Sequence, residues 1–153
     1  MSTLMPRLGI LAVLIALANC GGLDGGTVSG RLGRQIRNPA VTHVDLASVT
    51  SFGWDEVFLF PPQTPRASVC ATLAVRERFC RLIVRTESLD DETMTIAFRK
   101  QGRVTHAELH RRINGDFLPL DNEQRLRRED ARFRVVADGL GDTGDALLRL
   151  VRE

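Results

Sequence analysis

Phe52-Gly53-Trp54-Asp55-Glu56-Val57-Phe58-Leu59-Phe60-Pro61-Pro62 is the stretch on which the fold turns. Val57 to Phe60 is an unbroken apolar, β-prone run, and two prolines stop it at once. Proline cannot donate to a sheet ladder, and an apolar run without alternation offers no solvent face. The run therefore predicts a buried central strand with a sharp exit. Thr64-Pro65 follows as an N-cap and a first-turn proline, which predicts a helix over about residues 65–76 with Val69 and Leu73 on one face.

Further on, Arg81 to Arg85 (RLIVR) predicts a short strand and Ser88 to Glu92 an acidic turn. Thr93 to Arg99 alternates, with Met94, Ile96 and Phe98 inward, as a half-buried strand should. Lys100-Gln101-Gly102-Arg103 reads as a hairpin turn, and Val104 to Arg112 as the returning strand. Asn114-Gly115 makes another turn, Arg132 to Ala137 one more strand, and Asp145 to Arg152 a short helix or a last strand. Upstream, Val41 to Thr50 is a strand or an irregular lead-in. The expectation is an α+β domain: one antiparallel sheet of about 5–6 strands with one or two helices packed on one face.

The amino terminus says where the chain goes. Arg7 supplies a positive charge, Leu8 to Ala18 an eleven-residue apolar stretch, and Cys20 follows almost at once. That order is a secretory signal peptide, because a bilayer span needs about 20 apolar residues. Leu17-Ala18-Asn19-Cys20 resembles the lipobox of bacterial lipoproteins, in which a dedicated peptidase cuts before the cysteine and that cysteine carries acyl chains, palmitate among them. The resemblance implies lipidation at Cys20, and Gly21 behind it resembles an outer-membrane sorting signal. Asn19 stands where the family usually has Gly or Ala, and Ala16-Leu17-Ala18 is itself a small-x-small site. Cleavage after Ala18 would give a soluble exported protein instead.

The division expected from this is a signal peptide over 1–19, a lipidated Cys20 with a flexible tether over 20–38, and one globular domain over 39–153. Six glycines between Cys20 and Gly33, with no apolar period, motivate the tether. The 134 residues left after removing 1–19 from 153 are one domain by length, able to build a core unaided. Removing Arg7 from 21 basic residues leaves 20 against 19 acidic, so no global field points to nucleic acid. Cys70 and Cys80 in an exported domain most simply form a disulfide. On one continuous helix they would sit about 15 Å apart along the axis, too far for a bridge, so the helix must end near Ala74 to Arg78 and fold back.

His106, Glu108 and His110 are the candidate metal ligands: on a strand, i, i+2 and i+4 share a face. The spacing is not HExxH, and a solvent-facing polar row produces the same alternation. Asp138, Asp142 and Asp145 do not match a calcium loop. Arg125, Arg127, Arg128, Arg132 and Arg134 interleave with Glu123, Glu129 and Asp130, as on a solvated face. No nucleophile elbow, phosphate-cradling loop or cofactor motif is present, so the expectation is a non-enzyme.

Trp54-Asp55 through Thr64 also resembles a motif of small, functionally uncharacterised bacterial lipoproteins, in which Trp-Asp precedes an apolar strand ending in Pro-Tyr-Thr before a helix. Gln63 replaces the tyrosine, and the likeness extends over about residues 52–100. It implies a fold and a location but no activity. Trp54 and Asp55 are thus either structural or part of a partner surface. The reading is a lipid-anchored domain facing the periplasm, acting by binding on a cell-envelope partner, with metal binding through His106 and His110 as the alternative. The sequence leaves partner identity and oligomeric state open.

Overall fold

In the computed structural model the strand predicted from Val57 to Phe60 is there, and it is buried on both faces. The structure describes residues 27–120, 122–141 and 144–153. The expected signal peptide, Cys20 and most of the glycine run lie outside them. In chain order the elements are α1 (Val28–Ile36), β1 (His43–Asp45), α2 (Leu46–Val49), β2 (Glu56–Phe60), α3 (Arg66–Thr72), α4 (Glu77–Ile83), β3 (Thr93–Lys100), β4 (Arg103–Arg111), β5 (Gln124–Arg127), β6 (Arg132–Leu140) and β7 (Ala146–Arg152).

Two antiparallel sheets form, a four-stranded one in the order β4-β3-β2-β5 and a three-stranded one in the order β1-β6-β7. The α+β class stands, but the expected single sheet is two, and helices cover both faces of the larger one. β2 is an inner strand whose alternate residues serve different cores. Val57 and Leu59 join Met94, Ile96, Phe98 and Leu126 against α1, α2 and the three-stranded sheet. Phe58, Phe60 and Ala97 face α3 and α4, meeting Val69, Cys70, Leu73, Cys80 and Val84. A strand sandwiched this way has no polar side to show, which is why its sequence does not alternate. Each fully buried side chain of this kind contributes about 1.5–3 kcal/mol.

The expected tether over 20–38 is corrected: Val28 to Ile36 is a helix, not a leash, and the domain begins by Thr27 rather than at 39. Val28, Leu32 and Ile36 recur every fourth residue and are buried in the larger core. Thr27 is the N-cap, its hydroxyl oxygen accepting from the Gly30 N–H at 3.0 Å. Glycine disguised this period, since it is a poor helix former. Gly33 is there for close packing: a Cβ would stand 2.3 Å from Asn114 Oδ1.

The long helix expected over 65–76 ends at Thr72, and Ala74 takes a positive φ of 56° before α4 begins. Thr64 does not cap α3; its hydroxyl donates to the Pro61 carbonyl at 2.7 Å and Pro65 holds the cap position. Arg81 to Arg85 is not a strand. Residues 81–83 complete α4, because Cys80 and Val84, one helical turn apart, both enter the smaller core. The Cys70–Cys80 disulfide joins α3 to α4 across a Cα–Cα distance of 5.8 Å, with the helix break between them that bridging required. Val41 to Thr50 splits into β1 and α2, with the Asp45 carboxylate accepting from the Ala47 N–H at 2.8 Å. Gln101 and Gly102, at φ of 48° and 76°, make the tight turn of the β3–β4 hairpin. The tail is a strand, β7.

Candidate functional site

β4 carries the row His106, Glu108, His110, and the structure gives each a different task. Glu108 is drawn to the start of α1. Its carboxylate accepts from the Val28 N–H at 3.1 Å and the Ser29 N–H at 2.7 Å, two of the orphan donors at the helix N-terminus. His106 Nε2 reaches the same carboxylate at 2.5 Å. Burial works to raise the Glu108 carboxyl, but the hydrogen bonds from His106, Ser29 and Val28 outweigh it and hold it below the ordinary carboxylate range. The His106 ring lies against Phe52, with centroids 4.8 Å apart.

His110 turns away from the pair. It is fully buried beside Phe117, and its Nε2 donates to the Gly115 carbonyl at 2.6 Å. Burial lowers its pKa below the usual imidazole value, so the ring is neutral. His106 and Glu108 are therefore brought together and His110 is not. Among the described residues no group of three or more His, Cys, Asp or Glu side chains is arranged to hold a metal ion. The row is a latch. Ser29 Oγ accepts from the Arg111 N–H and from Asn114 Nδ2, both at 3.1 Å, and Arg37 donates to Asn114 Oδ1 at 2.9 Å, so α1 is tied along its length to β4 and the turn after it.

Trp54 is part of the core, at 2% exposure, which corrects its assignment as a possible partner surface. Its indole N–H donates to the Thr50 hydroxyl at 2.8 Å, its ring meets Phe98 edge-on, and the Arg128 guanidinium covers it at 4.8 Å. Asp55 is exposed, and its carboxylate accepts from the Gln101 N–H at 2.8 Å, holding the β3–β4 turn. Phe60 is sealed under α3 and α4, so no apolar patch joins it to Trp54.

The arginine cluster near the carboxyl end does make local ion pairs, but with other partners than the acids beside it in sequence. Arg125 and Arg99 both donate to Glu56, and Arg99 stacks over Phe58 at 4.8 Å. Burial raises the Glu56 carboxyl, and the two guanidiniums more than reverse it. Arg132 approaches Asp45 at 3.6 Å. Asp138 pairs with Arg149. Asp142 lies outside the described residues.

Sequence patterns give almost no sign of an open cleft of about 680 Å³ where the two sheets meet, lined by Pro61, Pro62, Asp91, Arg112, Asp116, Leu118, Pro119, Leu120, Asp138 and Arg149. Asp116 bridges the sheets, its N–H donating to the Leu148 carbonyl at 2.8 Å and its carbonyl accepting from the Leu150 N–H at 2.7 Å. Arg112 is clamped two-pronged by the Asp116 carboxylate, at 3.1 and 2.6 Å. The Arg112–Asp116 pair at i, i+4 was the one visible signal. Both cleft arginines are paired with carboxylates, and Asp91, whose side chain accepts from Gln63, leaves the lining one carboxylate in excess.

The exposed large apolar side chains lie elsewhere: Phe79 and Leu82 on α4, Leu89 in the loop after it, and Leu140 at the end of β6. Among the described residues no helix is long and apolar enough to cross a membrane. No protein-family model matches the chain, and neither a curated protein nor a solved structure is similar to it.

Proposed function

We propose that the chain is a cell-envelope lipoprotein: exported, cut before Cys20, anchored through lipid on that cysteine, and presenting to the periplasm a domain that works by binding rather than catalysis. The observation that carries it is the order of Arg7, the apolar run Leu8 to Ala18, and Cys20. The Cys70–Cys80 bridge supports it, because a disulfide tying two helices into a core persists in an oxidising compartment. The non-catalytic part rests on how the charged groups are spent. Glu108 caps α1, Glu56 holds two arginines, and the cleft carboxylates hold Arg112 and Arg149. Metal binding through His106, Glu108 and His110 would require Glu108 to release α1, and it is not part of the proposal.

A single lipid chain gives marginal membrane binding, while two or more give a stable anchor. The test is fractionation of a two-membrane bacterium making the full chain. The wild-type protein is expected in the outer-membrane fraction, staying there through salt and alkaline washes and leaving only with detergent, while Cys20→Ser is not anchored this way. Recovery of the wild-type protein as a soluble periplasmic species would instead support cleavage after Ala18.

A further inference from the structure

We propose that the exposed face of α4, Phe79 and Leu82 set among Arg76, Arg78, Arg81 and Arg85, is the surface by which the domain lies on an anionic phospholipid bilayer. The inference rests on the lipid-anchor reading for the membrane's proximity. Phe79 is 42% exposed and Leu82 68%, and at i, i+3 they share one side of the helix while Cys80 and Val84 enter the core on the other. From 76 to 85 the chain carries four arginines and a single acid, Glu77. These four make no ion pair among the described residues, and no carboxylate in the segment but Glu77 offsets them. Arg78 lies over the Phe79 ring at 4.7 Å, and Arg85 donates only to the Leu82 carbonyl. An apolar ridge fringed by unpaired cations fits a headgroup layer, with rings and leucine in the acyl boundary and guanidiniums on lipid phosphates. It does not fit a cationic or purely apolar partner.

The chain path adds a second argument. Once α1 is counted in the domain, only the steps from Cys20 to Thr27, seven in number, separate the acylated residue from the folded body. Seven residues span at most about 25 Å. A lipid on Cys20 therefore holds the domain against the bilayer rather than off it. The start of α1 is fastened to the edge strand β4 by Glu108, and α4 packs against β4 from the opposite face, so both lie at one edge of the sheet. The disulfide and the Val75 N–H bond to the Cys70 carbonyl present α4 ready formed, although so short a helix is unstable alone.

The experiment places a tryptophan at the patch (Leu82→Trp) or away from it (Leu140→Trp) in the full chain, and measures quenching by brominated lipid. Vesicles are phosphatidylethanolamine with phosphatidylglycerol, or phosphatidylcholine alone. Trp54 is buried and supplies the background in wild type. The expected result is strong added quenching in the Leu82→Trp chain with the acidic vesicles only, lost in high salt, and none in the Leu140→Trp chain. Adding Arg78→Gln and Arg81→Gln to Leu82→Trp should lower the ratio of docked to undocked domain by roughly 25-fold, about fivefold per arginine. Flotation of the wild-type chain with phosphatidylcholine vesicles reports the anchor separately. Failure to float, with the Leu82→Trp chain still quenched by acidic vesicles, sinks the anchor and supports the face. Flotation with no added quenching in the Leu82→Trp chain on acidic vesicles overturns the proposal, and a photocrosslink from position 82 to an envelope protein would then name the occupant.

Discussion

Glu108→Gln removes one negative charge from the start of α1 and leaves the side-chain shape intact. In the native protein that carboxylate receives N–H groups from Val28 and Ser29 and the His106 ring, with its side chain only 10% exposed. The glutamine oxygen can keep one backbone donor, and the amide nitrogen faces the other. One hydrogen bond to a charged group, about 1.5–3 kcal/mol, is lost. The interaction of the charge with the helix dipole, about 0.3–1 kcal/mol, goes with it. The expected destabilisation is thus about 2–4 kcal/mol. Urea unfolding should show it as a lower midpoint at unchanged slope. The pH dependence gives a second handle. A carboxyl held low in the folded state contributes stability that is present above its unfolded value and lost as pH falls through the folded one. The gap between wild type and Glu108→Gln should therefore narrow as pH falls below about 4.5. A variant within about 0.5 kcal/mol of wild type at neutral pH would refute the latch, since that is the range of an ordinary surface change.

Reducing the Cys70–Cys80 bridge, or replacing both cysteines by serine, should cost about 3 kcal/mol from loop closure, read as a lower melting temperature that reductant no longer shifts in the double variant. His110 is neutral in the fold and protonates in the unfolded chain, so wild-type stability should fall as pH drops below about 6.5, by up to about 1.4 kcal/mol per unit. His110→Gln keeps a donor for the Gly115 carbonyl and should remove that slope between about pH 6.5 and 5, as followed by denaturation at several pH values. Gly33→Ala drives a methyl to within 2.3 Å of Asn114 Oδ1 and should cost about 1–3 kcal/mol; a neutral thermal melt would count against the tight α1 packing.

The parts of the fold that were legible are those where one physical signal dominates. Val57 to Phe60, the strand carrying Met94, Ile96 and Phe98, and the Gln101-Gly102 turn are strong local patterns and sit where expected, except that Thr95 and Ala97 are buried too, so β3 is covered on both faces rather than half-buried. The Cys70–Cys80 argument worked because bridge geometry forbids a continuous helix. What failed was decided by tertiary contact. α1 holds two glycines that lower its intrinsic helicity, yet Leu32 is buried and Gly33 lets Asn114 close in. Arg81-Leu82-Ile83 has strand-like composition, but Cys80 is pinned to α3 and the segment stays helical. β5 offers a single buried residue, Leu126, too little for a periodic signal. Of the candidate site, the shared face of His106 and Glu108 was readable from strand spacing. That Glu108 serves a helix 80 residues upstream was not.

The central claim, a lipid anchor on Cys20 of a disulfide-stapled domain, is tested most directly by the unreduced intact mass of the full chain made in a lipoprotein-competent bacterium. The account predicts a chain starting at Cys20, heavier by its acyl groups and lighter by two hydrogens for the Cys70–Cys80 bond. A mass starting at Asn19 with no lipid would contradict it, and would make the protein a soluble exported one with Cys20 as a spare thiol.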